Sequence, residues 1–400
     1  MRISSQFDSG SITVSDIDAG ARVANLRLRP DQVTDPMVDI RQWFHFRLQG
    51  DFRGQGETSA GRAVSLRIAA CGDSTFPGGW KDYRASASYD RVHWFRVPTS
   101  FDGDTLTIAH TPERDSIYYA YFEPYAWERH LALLGRAEDS PRARVIDLGS
   151  TLDGRDMNLV RIGAAASTTT TATTTTASAT ASKKHCWIIA RQHPGETMAE
   201  WLCEGLITRL LDPNDAVATK LLERAQFHIV PNMNPDGSVR GNLRVNAAGA
   251  NLNREWVSPS PQRSPEVHAV RGELQRTGCD FFLDVHGDEV IPYVFTAGCE
   301  MLPSVTDAQR AEQQRYIAML ACASAEFQTE HGYPSGKYSQ DALKLASKWV
   351  GHTFGCVSLT LELPFKDNLN RPDETNGWSS ERSMQFGRDT LDSLAAFLRA

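Results

Sequence analysis

The chain has 400 residues, of which 41% are hydrophobic and 23% are charged, and its formal net charge is −7. This length exceeds the usual size of a single hydrophobic core, so we expect two domains. The negative net charge, together with the lack of a long Lys/Arg run, argues against nucleic acid or an anionic membrane surface as the main partner.

Segment composition predicts a protein of the cytoplasm without a membrane span. The first residues lack the apolar core of a signal peptide, and no run of 18 apolar residues occurs. The seven cysteines are odd in number and form no CxxC pair. We therefore expect reduced thiols in a cytoplasmic protein.

Residues 1–125 have the pattern of a small antiparallel β-sandwich domain. Short alternating runs, such as 40–48 (IRQWFHFRL) and 105–110 (TLTIAH), are separated by turn-rich stretches such as FPGGW and FDGD. The aromatic run 117–125 is predicted to be a further strand that leads into the next domain.

Residues 126–400 alternate between helical and strand patterns, which predicts an α/β fold with helices covering a sheet. The predicted strands are 158–162, 185–190, 227–230, 281–285 and 356–363, and the predicted helices are 127–134, 197–211, 311–328 and 390–399. The Thr/Ala-rich residues 163–184 cannot bury a core and are predicted to be a flexible surface loop. This loop could act as a lid or be a tolerated insertion, and we favour the insertion.

Two segments supply candidate metal ligands. His193 and Glu196 lie in HPGE, where Pro–Gly predicts a tight bend between a strand and a helix that can turn both side chains towards one ion. His286 follows the apolar strand FFLDV, and functional residues gather at the carboxyl ends of strands in α/β sheets. Asp284 or Asp288 could orient one imidazole. Three protein ligands leave one position open, as in catalytic zinc sites.

Other residues suit the binding and cleavage of a chain end. Arginines pair well with a terminal carboxylate, and Arg240, Arg244 and Arg254 lie in the Gly/Asn-rich segment 240–256, with Asn253 beside them. The alternative is a polar surface loop. Glu362 in SLTLEL is either on the wet face of a strand or at a strand end beside the metal, where it could act as general base.

The motifs HPGE, NPDG, GNLR, LNREW, DVHG and LTLELPFKDN, in this order, resemble the zinc metallocarboxypeptidases of the carboxypeptidase A type. The chain is most similar to their cytosolic carboxypeptidase-like branch, which has bacterial members. That branch carries a β-sandwich ahead of the catalytic domain, and WFHFRL, FPGGWKDY and SASYDRVHWFRV resemble it. The resemblance implies a mixed central sheet flanked by helices in residues 126–400.

The resemblance also implies residue roles and a substrate. His193, Glu196 and His286 would bind one Zn²⁺ per chain, and Glu362 would be general base and acid. Arg244 would stabilise the oxyanion, and the substrate's terminal carboxylate, at the end of a peptide or protein tail, would bind Asn253 and Arg254. Many family members use a mobile tyrosine at the substrate site, and Tyr338 is either that tyrosine or an ordinary loop residue. Some members of the branch remove glutamates, which would need a basic residue such as Lys344 or Lys348 near the substrate side chain.

Two other functions compete with a carboxypeptidase. The first is a zinc amidase for small N-acyl amino acids, similar to aspartoacylase, which would share the HxxE and distant His ligands. The second is a non-catalytic module that binds protein tails. The N-terminal β domain and the LNREW segment argue against the amidase, and the full set of ligands together with Glu362 argues against the binding module.

Overall fold

The computed structural model describes residues 1–34, 37–52, 63–163, 182–334 and 339–399. Most of the predicted Thr/Ala-rich loop, and Tyr338, lie outside the described residues. Within these ranges the fold is α/β, with β-sheets first and alternating helices and strands afterwards, as the sequence predicts. No helix in the described part of the chain is both long and apolar enough to span a bilayer.

In the described part of residues 1–125, ten strands form two five-stranded sheets, with the orders β1-β4-β10-β6-β7 and β2-β3-β5-β9-β8. The strands are β1 (Arg2–Ser4), β2 (Thr13–Asp18), β3 (Val23–Arg27), β4 (His45–Gln49), β5 (Val64–Ala69), β6 (Ser86–Ser88), β7 (Trp94–Arg96), β8 (Thr99–Phe101), β9 (Leu106–His110) and β10 (Ser116–Ala120). All pairs are antiparallel except β3 with β5. The chain leaves this sheet after β3, forms β4 in the other sheet and returns beside β3 in the same direction.

From residue 126 onwards, the residues that the structure describes form eight α-helices and a mixed seven-stranded sheet with the order β11-β12-β14-β13-β15-β17-β16. The strands are β11 (Ala143–Ser150), β12 (Asp156–Ile162), β13 (Lys184–Ala190), β14 (Ala225–Val230), β15 (Phe281–Asp288), β16 (Phe295–Ala297) and β17 (Val357–Pro364). The helices are α1 (Trp127–Glu138), α2 (Thr197–Leu211), α3 (Ala216–Arg224), α4 (Pro235–Arg240), α5 (Pro265–Thr277), α6 (Asp307–Ala323), α7 (Ala346–Phe354) and α8 (Ser380–Phe397). Strands β14, β13, β15 and β17 are parallel neighbours.

Helices cover both faces of this sheet. Alternate residues of β13 face opposite sides: Cys186 and Ile188 pack in the core that includes α2, α6 and α8, whereas Trp187 and Ile189 pack with α5 and α7. Because both faces are buried, the central strands are continuous apolar runs, which made them predictable. Their parallel direction brings their carboxyl ends to one edge of the sheet.

Helix α2 has the predicted bounds, but it does not bury only one side. Twelve of its 15 residues are buried, because it is enclosed between the sheet and α8. Gly205 faces the backbone of Met384 so closely that no side chain could be placed there. Strand β15 continues three residues beyond its predicted end, so His286 lies within the strand and not after it.

The β-sandwich and the α/β half of the chain share one hydrophobic core. Tyr121 stacks on Phe365 with ring centroids 4.7 Å apart, and both side chains are fully buried. The Arg96 guanidinium donates to the backbone carbonyls of Phe365 and Trp378 at 2.9 and 3.0 Å. The boundary after residue 125 stays a prediction.

Candidate active site

A cleft of about 1330 Å³ opens at the carboxyl ends of β13, β15 and β17. Most of the predicted site residues line it: His193, Glu196, Arg244, Asn253, Arg254, His286 and Glu362. These residues span positions 193–362 and come from three strand ends and one irregular segment, so the fold has brought together what the sequence separates.

His193, Glu196 and His286 form one buried cluster. Their donor atoms all lie within 4.8 Å of one another, and no side chain of the three is more than about 5% exposed. The two oxygens of the Glu196 carboxylate face the Nδ1 atoms of both imidazoles, at 2.6 Å from His193 and 2.8 Å from His286. The three side chains therefore converge on one point.

Whether this cluster fits a metal ion depends on which nitrogen of each imidazole carries the proton. The partners of the two Nε2 atoms answer this. Nε2 of His193 donates to the Oδ1 atom of Asn251 at 3.0 Å, and Nε2 of His286 donates to the Oδ2 atom of Asp284 at 2.9 Å. Such bonds keep the proton on Nε2 and leave the Nδ1 lone pair for a cation. Two imidazoles and one carboxylate are a donor set that suits zinc, so the residues fit the ion.

The charges within the cluster are coupled. Burial alone would lower the pKa of His286, but the Asp284 and Glu196 carboxylates outweigh it and raise that pKa. Burial lowers the pKa of His193 to about 4, and the nearby Arg244 charge acts in the same direction, which favours the neutral imidazole. Burial alone would raise the pKa of Glu196, but the two adjacent imidazoles outweigh it and lower that pKa. Glu196 is therefore held as a carboxylate, which is the form that binds a cation.

The HPGE bend is fixed by contacts on both sides. Arg191 has a positive φ of 60°, and its fully buried guanidinium donates to the Pro194 carbonyl at 2.8 Å and pairs with Glu200 at 2.7 Å. The Gly195 N–H donates to the Leu243 carbonyl at 2.8 Å, and a Cβ on Gly195 would meet Leu243 at 3.0 Å. The glycine thus allows the segment that carries Arg244 to lie against the bend.

Glu362 lies directly opposite His286 in the paired strands β15 and β17. Its Oε1 atom bonds the Tyr333 hydroxyl at 2.9 Å, and that hydroxyl also lies 2.9 Å from the Oδ2 atom of Asp288. Burial raises the pKa of Glu362 above its ordinary value, and the His286 charge opposes this. Glu362 thus lies at the strand end in the cleft, and not on a solvent-exposed face of the strand.

Tyr333 was not predicted as a site residue. It lies in HGYP, a short stretch without periodicity, and only its position upstream of Glu362 could have drawn attention to it. Tyr338, the predicted tyrosine, lies outside the described residues, so its role stays a prediction. Of the two aspartates considered for orienting an imidazole, Asp284 contacts His286, whereas Asp288 bonds Tyr333.

The substrate-side residues lie on the segment 240–256. Arg244 and Arg254 face the cleft, and Arg254 donates to the Asn253 carbonyl at 2.7 Å. The Asn253 amide oxygen accepts from the Ala346 N–H at 2.9 Å. Arg240, in contrast, points away from the cleft and pairs with Asp153 at 2.6 Å. The presence of arginines in this segment could not indicate which of them face the cleft.

The two lysines considered for glutamate recognition differ in position. Lys348 lines the cleft, is 6% exposed, and its ammonium contacts the Gly298 carbonyl. Lys344 is about half exposed and pairs with Asp341 at 2.7 Å. Only Lys348 is therefore placed to meet a substrate side chain.

Comparison with known proteins agrees with this geometry. Residues 131–380 match the zinc carboxypeptidase family, and residues 3–122 match the cytosolic carboxypeptidase N-terminal domain. A metallo-carboxypeptidase from Burkholderia cenocepacia is similar in structure, with a TM-score of 0.91 and 52% identity over 100% of this chain and 99% of its own.

Two further relatives extend the comparison. A metallo-carboxypeptidase from Pseudomonas aeruginosa, solved with (2-guanidinoethylmercapto)succinic acid, has a TM-score of 0.89 and 41% identity, and covers 100% of this chain and 99% of its own. Cytosolic carboxypeptidase 6 of Mus musculus is 27% identical over 77% of this chain, which spans 57% of that protein.

Proposed function

Because this chain belongs to the zinc carboxypeptidase family and is therefore a peptide hydrolase, we propose that it binds one zinc ion through His193, Glu196 and His286 and removes the C-terminal residue of peptide or protein tails. The observation that carries this proposal is the convergence of two imidazoles and a carboxylate within 4.8 Å, beside Glu362 and open to a cleft. Zinc, when bound there, polarises a carbonyl and lowers the pKa of water.

The protein side chains have distinct tasks in this proposal. Arg254 and Asn253 hold the terminal carboxylate of the substrate, since guanidinium and amide groups bond carboxylates. Arg244 meets the negative charge that develops on the scissile carbonyl oxygen. Glu362 takes a proton from the attacking water as a general base and then passes it to the leaving amine as a general acid. The Tyr333 hydroxyl bonds Glu362 and limits its rotation.

We further propose that glutamate is a preferred C-terminal residue and that Lys348 recognises its side chain. Support comes from the burial of Lys348 in the cleft, because a desolvated ammonium gains most from a carboxylate partner. The Pseudomonas relative was solved with a succinic acid derivative, which also carries two carboxyl groups. A cytoplasmic location is proposed as well, supported by seven free cysteines and by cytosolic relatives.

The aspartoacylase-like amidase is not favoured. The N-terminal domain match and the carboxypeptidase neighbours that cover the whole chain both favour a carboxypeptidase. A non-catalytic tail-binding module is not retained, because the family is one of hydrolases.

The test is mass spectrometry of peptides that differ only in their last residue, incubated with zinc-loaded full-length protein. We expect stepwise loss of single C-terminal residues, fastest for glutamate. An N-acyl amino acid is included in parallel. Cleavage of this compound with all peptides intact would reject the carboxypeptidase proposal in favour of the amidase, and faster release of leucine than glutamate would reject the preference alone.

A further inference from the structure

Two side chains of the N-terminal β domain, Asp31 and Phe76, lie beside Arg244. Asp31 binds the backbone of residues 243–245, and Phe76 lies beneath the Arg244 guanidinium. We infer that Asp31 and Phe76 are positioning residues, which fix Arg244 in the direction that its proposed oxyanion role requires. This inference rests on the proposed function and assigns the N-terminal domain a part in the reaction.

Asp31 fixes the backbone of Arg244. Its carboxylate accepts from three consecutive N–H groups, those of Leu243 at 2.6 Å, Arg244 at 2.8 Å and Val245 at 3.2 Å. Asp31 is only 6% exposed, so water competes little for these bonds. The neighbouring N–H of Gln32 donates to the Asn242 side chain at 2.6 Å. The backbone from which the Arg244 side chain extends is therefore anchored to the N-terminal domain.

Phe76 fixes the other end of the side chain. The Cζ atom of Arg244 lies 5.2 Å from the centre of the Phe76 ring, within the range of a cation–π contact. Among residues 1–34, 37–52, 63–163, 182–334 and 339–399, no acceptor lies within hydrogen-bonding distance of this guanidinium. The ring is therefore its principal partner on this side, while its hydrogen-bond donors stay available to a substrate oxygen.

The backbone that carries the Phe76 ring is held by hydrogen bonds. The buried Gln42 side chain donates to the Phe76 carbonyl at 3.2 Å and accepts from the Phe76 N–H, also at 3.2 Å. Three residues later, Gly79 lies so close to Glu289 that a Cβ would be 3.0 Å from the Glu289 Cβ. The FPGGW turn is thus pressed against the end of β15, three residues beyond His286, and its distance from the cluster is fixed.

These contacts matter for turnover more than for binding. A free arginine side chain samples many rotamers, and restricting them before reaction lowers the cost of stabilising charge in the transition state. The negative charge on the carbonyl oxygen is absent from the bound substrate and develops towards the transition state, so loss of the restriction should lower kcat more than it raises KM.

The experiment uses full-length zinc-loaded variants and steady-state kinetics on one peptide. We expect Phe76→Leu to lower kcat about fivefold with KM changed less than about twofold, and Phe76→Trp to retain kcat, because tryptophan offers the better cation–π face. Phe101→Leu, at a partly buried phenylalanine of the same domain away from the cleft, is the matched control and should keep wild-type kinetics.

A rescue experiment separates positioning from general stability. Arg244→Ala should regain part of its activity with millimolar guanidinium ion, and the regained activity should be weaker in the Arg244→Ala/Phe76→Leu double variant. Asp31→Asn should lower kcat with KM nearly unchanged.

Wild-type kcat in Phe76→Leu, a rise in KM alone, or equal losses in Phe76→Leu and Phe101→Leu would each overturn the inference. The proposed function fails in a different way, namely if the wild-type protein releases no C-terminal residue.

Discussion

The metal side and the substrate side of the cleft are held in place by different kinds of structure. His286 and Glu362 lie opposite each other within neighbouring buried strands, so the sheet ladder sets their distance. Arg244 and Tyr333 lie on irregular segments, where buried polar side chains and the N-terminal domain hold the backbone. The strand pair gives His286 and Glu362 a rigid frame, and the buried HPGE bend holds His193 and Glu196. Anchored loops give the substrate side a surface whose shape depends on a few side-chain contacts.

This difference indicates how each side should respond to substitution. Changes on the metal side should remove chemistry or metal, because the frame offers no alternative geometry. Changes on the substrate side should alter rate, preference or stability by smaller factors. Four predictions test that comparison.

The largest effect is expected for Glu362→Gln. The amide cannot take a proton from water, so kcat should fall about 10²- to 10⁴-fold. Zinc content, measured by elemental analysis, should stay at the wild-type level, since Glu362 is not among the proposed ligands. His286→Ala is the matched comparison on the neighbouring strand and should lose both zinc and activity. Wild-type turnover in Glu362→Gln would remove this residue from the mechanism.

Asp284→Asn should weaken zinc binding about 10- to 100-fold, because Asp284 orients the His286 ring through Nε2. Asp284 is fully buried and also accepts two bonds from Gln192 at 2.8 and 2.9 Å. The measurement is competition for zinc with a chelator of known affinity. Asp280→Asn, at the other end of the same strand, should leave zinc affinity unchanged, and equal weakening in both variants would contradict an orienting role for Asp284.

Lys348→Met should reduce the preference for C-terminal glutamate about tenfold, measured as the ratio of kcat/KM for peptides ending in glutamate and in glutamine. Methionine keeps most of the side-chain volume and removes the charge. Lys344→Met is the control, because Lys344 lies outside the cleft. An unchanged ratio in Lys348→Met would show that another group, or none, selects the side chain.

Glu266→Gln should have the smallest effect on turnover but a measurable effect on stability. Glu266 is buried against the segment 240–256. Glu266 accepts from the Asn246 amide at 3.1 Å, and burial raises the pKa of Glu266 to about 7. The folded state therefore holds this proton more tightly than the unfolded state, and the stabilisation present below about pH 4 is lost as pH rises through 7.

Glutamine cannot ionise, so Glu266→Gln should match the wild type at about pH 4 and be about 1–3 kcal/mol more stable at pH 8.5 in urea unfolding. Glu312→Gln is the control. Glu312 is exposed, and its bond with Arg315 lowers its pKa, so this variant should show no gain at high pH. A wild-type pH profile in Glu266→Gln would refute the buried-proton explanation.

The same comparison explains what could be predicted from the sequence. The apolar strand before His286 and the HPGE bend are local patterns, so the metal cluster and the bounds of α2 were within reach. Six ordered motifs supported the family, which the comparisons confirm.

The substrate side was less predictable for a physical reason. Loops have no period, so nothing local distinguishes Arg244, which lines the cleft, from Arg240, which pairs with Asp153. Likewise Tyr333 was missed, and FPGGW was interpreted only as a turn of the β domain although its Phe76 lines the cleft. Contacts between distant segments depend on tertiary packing, which a single sequence does not display.

The stack of Tyr121 on Phe365 has a consequence for protein engineering. The catalytic half cannot be excised by starting a shorter polypeptide after residue 125, because an aromatic surface centred on Phe365 would be opened to water and would favour aggregation. An exchange of N-terminal domains between homologues would likewise have to include both stacking partners, Tyr121 and Phe365.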